Sequence, residues 1–243
     1  MKKRSAWILA AALLVALAAS PLSAQTAKEV LAKAIEAQGG AIALGAVKDQ
    51  AITGNLEMVQ MGMKGSLTLY SKEPNKMRMD IEIMGMLISQ AYDGEKARMT
   101  NPQTGSIDEL PDNLTQEFKR QALGFDSLLH PEKYGITFEL KGKEKLQDKE
   151  YLVMDEKLSD GHIITYYLDP ATYLPYKTKA MGLSQTGAEA MIEMVTTDYQ
   201  KVEGIMVAQA MTQYQDSQEF MRITVTKVTF NSNLDDAFFK LVK

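Results

Sequence analysis

Residues 52–102 read ITGNLEMVQMGMKGSLTLYSKEPNKMRMDIEIMGMLISQAYDGEKARMTNP. Apolar and polar residues alternate through much of this stretch. Met77, Met79, Ile81 and Ile83 fall on one side of a strand, and Arg78, Asp80 and Glu82 on the other. Leu67 and Leu69 alternate with Ser66, Thr68 and Tyr70. A period of two marks an antiparallel strand with one buried face. The breaks at Gly62, Pro74-Asn75, Gly85 and Asp93-Gly94 are turn residues. The stretch predicts a meander of four to five strands with one apolar, methionine-rich face.

Outward from the meander, the texture changes and then returns. On the N-terminal side, Thr26 to Gln38 has a helical stripe of Val30, Leu31, Ala34, Ile35 and Gln38. Thr26 with Glu29 three residues on has the form of a capping box, and Gly39-Gly40 ends the helix. On the C-terminal side, residues 110–134 predict two short helices, with Leu114, Phe118 and Ala122 near one face and Phe125, Leu128 and Leu129 as a second cluster. Strand patterns resume at Ile136–Lys141 and at Lys149–Glu156, Gly161–Asp169, Leu174–Met181, Glu189–Gln200, Met206–Gln215 and Glu219–Phe230. Gly142 reads as a turn, and Asp235–Phe239 as a last helical turn. The expected fold class is α+β: about ten or eleven antiparallel strands in a strongly curved sheet, since sheets of that size curl or split. It would be an incomplete β-barrel with helices covering the concave face, and a closed barrel around a cavity is the competing arrangement.

Residues 1–24 are expected to be a secretory signal peptide cleaved after Ala24. Lys2, Lys3 and Arg4 precede an apolar run from Trp7 to Ala19, and Leu22-Ser23-Ala24 has small residues at the cut. The run is shorter than the roughly 20 residues of a membrane span. Gln25 stands where a bacterial lipid anchor needs Cys. Residues 25–243 then form one exported, periplasmic domain. Losing three basic residues and no acid moves the formal net charge from −4 to −7, which argues against nucleic acid or an anionic membrane surface. The chain has no Cys, so thiol chemistry, disulfides and Cys-based metal sites are excluded.

Catalytic signatures are missing. No GxSxG elbow, P-loop or GxGxxG occurs, and His130 and His162, the two histidines, lie in different segments. Asp155-Glu156 and Asp235-Asp236 read as solvated turn and end residues. No cofactor, no metal and no enzymatic activity are expected. A hydrolase using scattered carboxylates would need a polar cleft with two acids. The informative excess is methionine, 16 in all. Strands ordinarily favour Val, Ile and aromatics, whereas Met suits surfaces that accept varied apolar partners. Two readings stand: a deformable apolar pocket, or ordinary core filling. Burial of a methylene contributes ~0.8 kcal/mol, so a sixteen-carbon chain offers roughly 13 kcal/mol against ordering costs of about 4–15 kcal/mol. An apolar pocket suffices to hold a lipid tail and release it.

Four segments carry a family resemblance. Gly65-Ser66-Leu67-Thr68-Leu69-Tyr70-Ser71-Lys72-Glu73-Pro74-Asn75 resembles a strand and turn of periplasmic outer-membrane lipoprotein carriers. Asp93-Gly94-Glu95-Lys96, running to Asn101-Pro102, resembles their hairpin. Leu168-Asp169-Pro170-Ala171-Thr172-Tyr173-Leu174-Pro175 and Asn233–Phe239 resemble later segments of lipoprotein-sorting (LolA-like) proteins. Glu73 and Arg98 differ from the family's common basic and aromatic residues. The resemblance implies a half-barrel with a helical lid, and a periplasmic chaperone that carries lipid or lipoprotein acyl chains between inner- and outer-membrane partners as a monomer. On this reading Leu67, Leu69, Met77, Met79, Ile81, Ile83, Ile88 and Met99 line the sheet side of the cavity. Phe118, Phe125 and Leu129 come from the lid. The alternative is an envelope-stress sensor or other protein-partner module on the same scaffold.

Overall fold

The computed structural model describes residues 25–184 and 187–242. The signal-peptide reading of residues 1–24 lies outside them. The chain opens with helices α1 (Ala27–Gln38) and α2 (Gly40–Ala46). The capping box forms: Glu29 N donates to Thr26 Oγ1 (3.2 Å) and Thr26 N to Glu29 Oε2 (2.9 Å). Six strands follow: β1 (Asp49–Met58), β2 (Met63–Lys72), β3 (Lys76–Ile83), β4 (Met86–Tyr92), β5 (Ala97–Thr100) and β6 (Ile107–Glu109). Helices α3 (Asp112–Gln121) and α4 (Phe125–Leu129) carry the chain on to β7 (Thr137–Leu146), β8 (Lys149–Lys157), β9 (Ile163–Leu168), β10 (Pro175–Leu183), β11 (Glu189–Val202), β12 (Ile205–Gln215) and β13 (Gln218–Phe230). Asp236–Phe239 is a single 3-10 turn.

The thirteen strands of the described residues form one antiparallel sheet, ordered β6-β5-β4-β3-β2-β1-β13-β12-β11-β10-β9-β8-β7. Two meanders are therefore joined at the centre by β1 against β13, with Gln50 opposite Phe230 and Leu56 opposite Ile223. The sheet is open, with β6 and β7 as its edges. Thirteen strands replace the expected ten or eleven; β6 has three residues, too few to show alternation. Gly142 is a bulge and not a turn. The register shifts between Leu140 and Gly142, Gly142 adopts φ +105°, and β7 continues to Leu146.

The contacts of α3 require the sheet to curl. Phe118 packs on Met77, Tyr92 and Ala97 of β3–β5. Two residues on, Arg120 Nε bonds Asp160 Oδ2 (2.8 Å) in the β8–β9 turn. On a flat sheet β5 and β9 would lie nine spacings apart, about 43 Å, whereas a helix is only about 10–12 Å across.

The register defines one continuous face. Met154 of β8 lies opposite Tyr166 of β9, Tyr166 opposite Thr178, and Thr178 opposite Met194. Further along, Met211 opposes Ile223, Leu56 opposes Gly65, and Leu67 opposes Ile81. The helices pack on this face. Val30 and Ala34 of α1 meet Leu152, Met154 and Leu168, while Phe125, Leu128 and Leu129 of α4 join Leu44, Val47, Ile205 and Val207. On the opposite face, Arg78 pairs with Asp80 (2.8 Å) under the Phe238 ring. Asp49, 3 % exposed, accepts from Ser232 N (2.7 Å) and Leu234 N (3.2 Å) and so ties the C-terminal segment to the start of β1.

Candidate ligand-binding face and cavity

The eight strand residues singled out by alternation share the helix-bearing face. Leu67 lies opposite Ile81 and Ile81 opposite Ile88; Leu69 lies opposite Met79, Met79 opposite Gln90, and Gln90 opposite Met99. Met77 faces Tyr92, and Ile83 faces Met86. Their surroundings then diverge. Met77 and Leu69 sit with Phe118 under α3. Leu67 and Ile83 join Leu56, Met58 and Ile223, flanked by Met63, Met79, Ile81, Met211, Phe220 and Met221. Every residue of this second cluster comes from a strand. Met79, Ile81, Met211 and Met221 are left half-buried, as are Ile88 and Met99 nearby. At the same end of the sheet Met61, Met84, Met86 and Leu87 are exposed. Phe125 and Leu129 are elsewhere, packed by α2.

A cavity of about 370 Å³ lies beneath α1 and the α3–α4 connection, over β8–β10. Its apolar walls include Leu31, Phe138, Met154, Ile164 and Leu168. Of the sequence-singled residues, Phe125 alone lines it. A neighbouring space of about 240 Å³ shares Arg120, Gln121 and Ile164 with it and extends to Met194 and Gln213. Gln213 lies opposite Met221 of the methionine face in the register, so cavity and face adjoin. The sequence signal for the cavity was present in β8 and β9. There Leu152, Met154 and Glu156 alternate with Tyr151, Val153 and Asp155. Tyr151, Val153 and Tyr167 form an apolar cluster on the opposite face, so alternation gave no preference between the two sides.

Glu156 corrects the reading of Asp155-Glu156 as solvated acids at a turn or strand end: both lie within β8, and Glu156 is buried. Glu156 is 8 % exposed and lines the cavity. Tyr166 Oη donates to its Oε2 at 2.8 Å. Burial pushes the Glu156 carboxyl up, against the Tyr166 bond, which favours the charged form. Burial, then the adjacent carboxylate, pushes the Tyr166 phenol well above its ordinary value. A second acid fixes α4. Glu73, at the β2–β3 turn, accepts from Phe125 N (2.6 Å) and Asp126 N (3.3 Å). Among the described residues no group of three or more His, Asp or Glu is placed to hold a metal. None of their helices is long and apolar enough to cross a membrane.

No family model matches this chain, and no curated protein matches it. Solved structures do. A LolA superfamily protein from Nitrosomonas europaea superposes with a TM-score of 0.59 at 14% identity, covering 89% of this chain and 98% of that one. The fold is LolA-like. A domain assigned to outer-membrane lipoprotein sorting from Vibrio parahaemolyticus gives 0.58 at 15% identity, over 88% and 97% of the two chains. A DUF1329 family protein from Desulfovibrio piger gives 0.58 at 12%, over 89% and 98%. Near-complete coverage at such low identity means that the LolA-like architecture is shared while the side chains lining the face are this chain's own.

Proposed function

We propose that this chain is an exported periplasmic carrier, without enzymatic activity, that shelters lipid or lipoprotein acyl chains against its methionine-rich sheet face. The observation that carries the reading is the strand-only cluster. Leu56, Leu67, Ile83 and Ile223 form a floor, and Met63, Met79, Ile81, Met211 and Met221 stand half-buried above it with no helix residue packed among them. An ordinary core would close over such side chains. A carrier keeps them available, and thioether side chains adapt to whatever apolar chain is laid on them. Helices α3 and α4 act as a lid on the concave side; the reach of α3 from β4 to β10 supports this. The LolA-like fold and the apolar walls of the adjoining cavity support the same reading. The carrier works as a monomer, needs no cofactor, and exchanges cargo with inner- and outer-membrane partners.

Native mass spectrometry of protein purified from a periplasm, followed by organic extraction, tests the proposal. A bound mass that resolves into lipid or acylated species is expected. A clean apo mass that persists after incubation with lipids and acylated peptides would refute it.

A further inference from the structure

An apolar carrier has no need of a carboxylate in its cavity, yet Glu156 is there. The residue across the strand pair is Ile164, and Met154 and Leu158 flank it in the wall. Packing alone would be served by an apolar side chain, as at Met154 two residues earlier. A buried carboxylate without enough partners is costly. Glu156 offers two oxygens, and among the described residues its one hydrogen-bond partner is Tyr166 Oη, on Oε2. Oε1 bonds to none of the described residues, and since none of their fully enclosed side-chain oxygens or nitrogens lacks a partner, Oε1 keeps some exposure where Glu156 lines the cavity. It therefore faces the cavity as an open acceptor. The cation that lines the same wall, Arg120, is engaged by Asp160 (2.8 Å) and Glu117 (3.2 Å) and does not neutralise Glu156. With Glu117 and Asp160 both on Arg120, the acids at this corner outnumber its cation.

We infer that Glu156, held by Tyr166, is the polar anchor of the cavity and selects apolar-chain ligands whose polar end donates a hydrogen bond, an amine or alcohol in preference to a carboxylate. This rests on the carrier reading and adds a preference to it. The Tyr166 hydroxyl fixes Oε2 and leaves Oε1 to accept from the ligand head, while the tail lies along Met154, Ile164 and Leu168. A fatty-acid anion would bring a second negative charge to the same corner.

Isothermal titration of the protein with dodecylamine, 1-dodecanol and dodecanoate at neutral pH tests the anchor. Amine and alcohol are expected to bind at least about tenfold tighter than dodecanoate, the scale of one hydrogen bond to a charged group. Glu156→Gln keeps an acceptor for Tyr166 and is expected to weaken dodecylamine at least about tenfold without weakening dodecanoate. Equal affinity for all three probes, unchanged in Glu156→Gln, would overturn the anchor and leave the carrier reading standing. Binding of none would overturn both. If Glu156→Gln does not fold, Tyr166→Phe takes its place: the freed carboxylate should keep the preference for amine over dodecanoate, and loss of that preference would overturn the anchor.

Discussion

Replacing Gly124 by Ala should destabilise this protein, and removing Glu73 should reverse the effect. Gly124 adopts φ −98° and ψ −161°, an extended conformation open to any L residue, so its backbone does not require glycine. What requires it is space. A Cβ at 124 would lie 2.2 Å from Glu73 Oε1, 2.5 Å from Cδ and 2.6 Å from Oε2. The carboxylate must move, and it then loses the amides of Phe125 (2.6 Å) and Asp126 (3.3 Å). Loss of a side-chain cap of this kind costs about 0.5–2 kcal/mol. In a Glu73→Ala background the same Cβ meets no carboxylate. Gly124→Ala should then be neutral or stabilise by about 0.4–1 kcal/mol through the unfolded chain. Hydrogen exchange at α4 is the direct assay, because the lost bonds are those of its first amides. Either single variant should speed exchange there about 2–30-fold, and the double variant should exchange no faster than Glu73→Ala alone. Additive acceleration in the double variant would refute the reasoning. The pH profile gives a second check. Burial raises the Glu73 carboxyl above its ordinary 4.5, with the two amides opposing. The folded state thus holds the proton more tightly than the unfolded state, and this group's contribution to stability falls as pH rises from 4.5 through the folded value. Glu73→Gln should remove that slope.

Three further outcomes are expected. Met79→Asp with Ile81→Asp should abolish capture of acyl-chain probes in a protein that still folds by circular dichroism; unchanged capture would remove these residues from the site. Glu156→Gln should raise the melting temperature at pH 7–8 and flatten its decline with rising pH, because burial raises the Glu156 carboxyl and stability is lost as pH climbs through its folded value; a lower melting temperature at pH 8 would contradict this. Asp49→Ala leaves the amides of Ser232 and Leu234 without their buried acceptor and should cost about 2–4 kcal/mol in urea denaturation.

The meander was legible because its two faces differ in chemistry. Arg78, Asp80 and Glu82 opposite Met79, Ile81 and Ile83 leave one way to orient β3, and a slip of one residue would bury the charges. Alternation also put Ile88 and Met99 on the side of Met79 and Ile81, and the strand register puts them there too. It did not show which part of that face a helix would cover, because the reach of α3 depends on curvature accumulated over many strands. Met77 thus lies beneath Phe118 while Met79, two residues on, stays half-buried among strands. The cavity was harder to read for a related reason. Tyr151 and Val153 are as apolar as Leu152 and Met154, so β8 has no polar side to fix its orientation. Glu156 looked like a surface acid because the partner that holds it, Tyr166, lies across a turn.

An open sheet of thirteen strands exposes two edges to other copies of itself, and the sequence at each edge opposes pairing. At one end β6 stops after three residues, two of them the exposed acids Asp108 and Glu109. At the other, β7 is bulged at Gly142 and carries exposed Lys141, Lys143, Glu144 and Lys145. Short strands, bulges and edge charge each disfavour the addition of a further strand. Protection of this kind matters most for a protein that leaves apolar side chains available on its working face. Edge-to-edge association would extend the sheet and set the apolar faces of two copies side by side. On the proposed carrier reading, the charged edges and the half-buried methionines fit one requirement: an apolar surface accessible to small apolar chains and inaccessible to a second sheet.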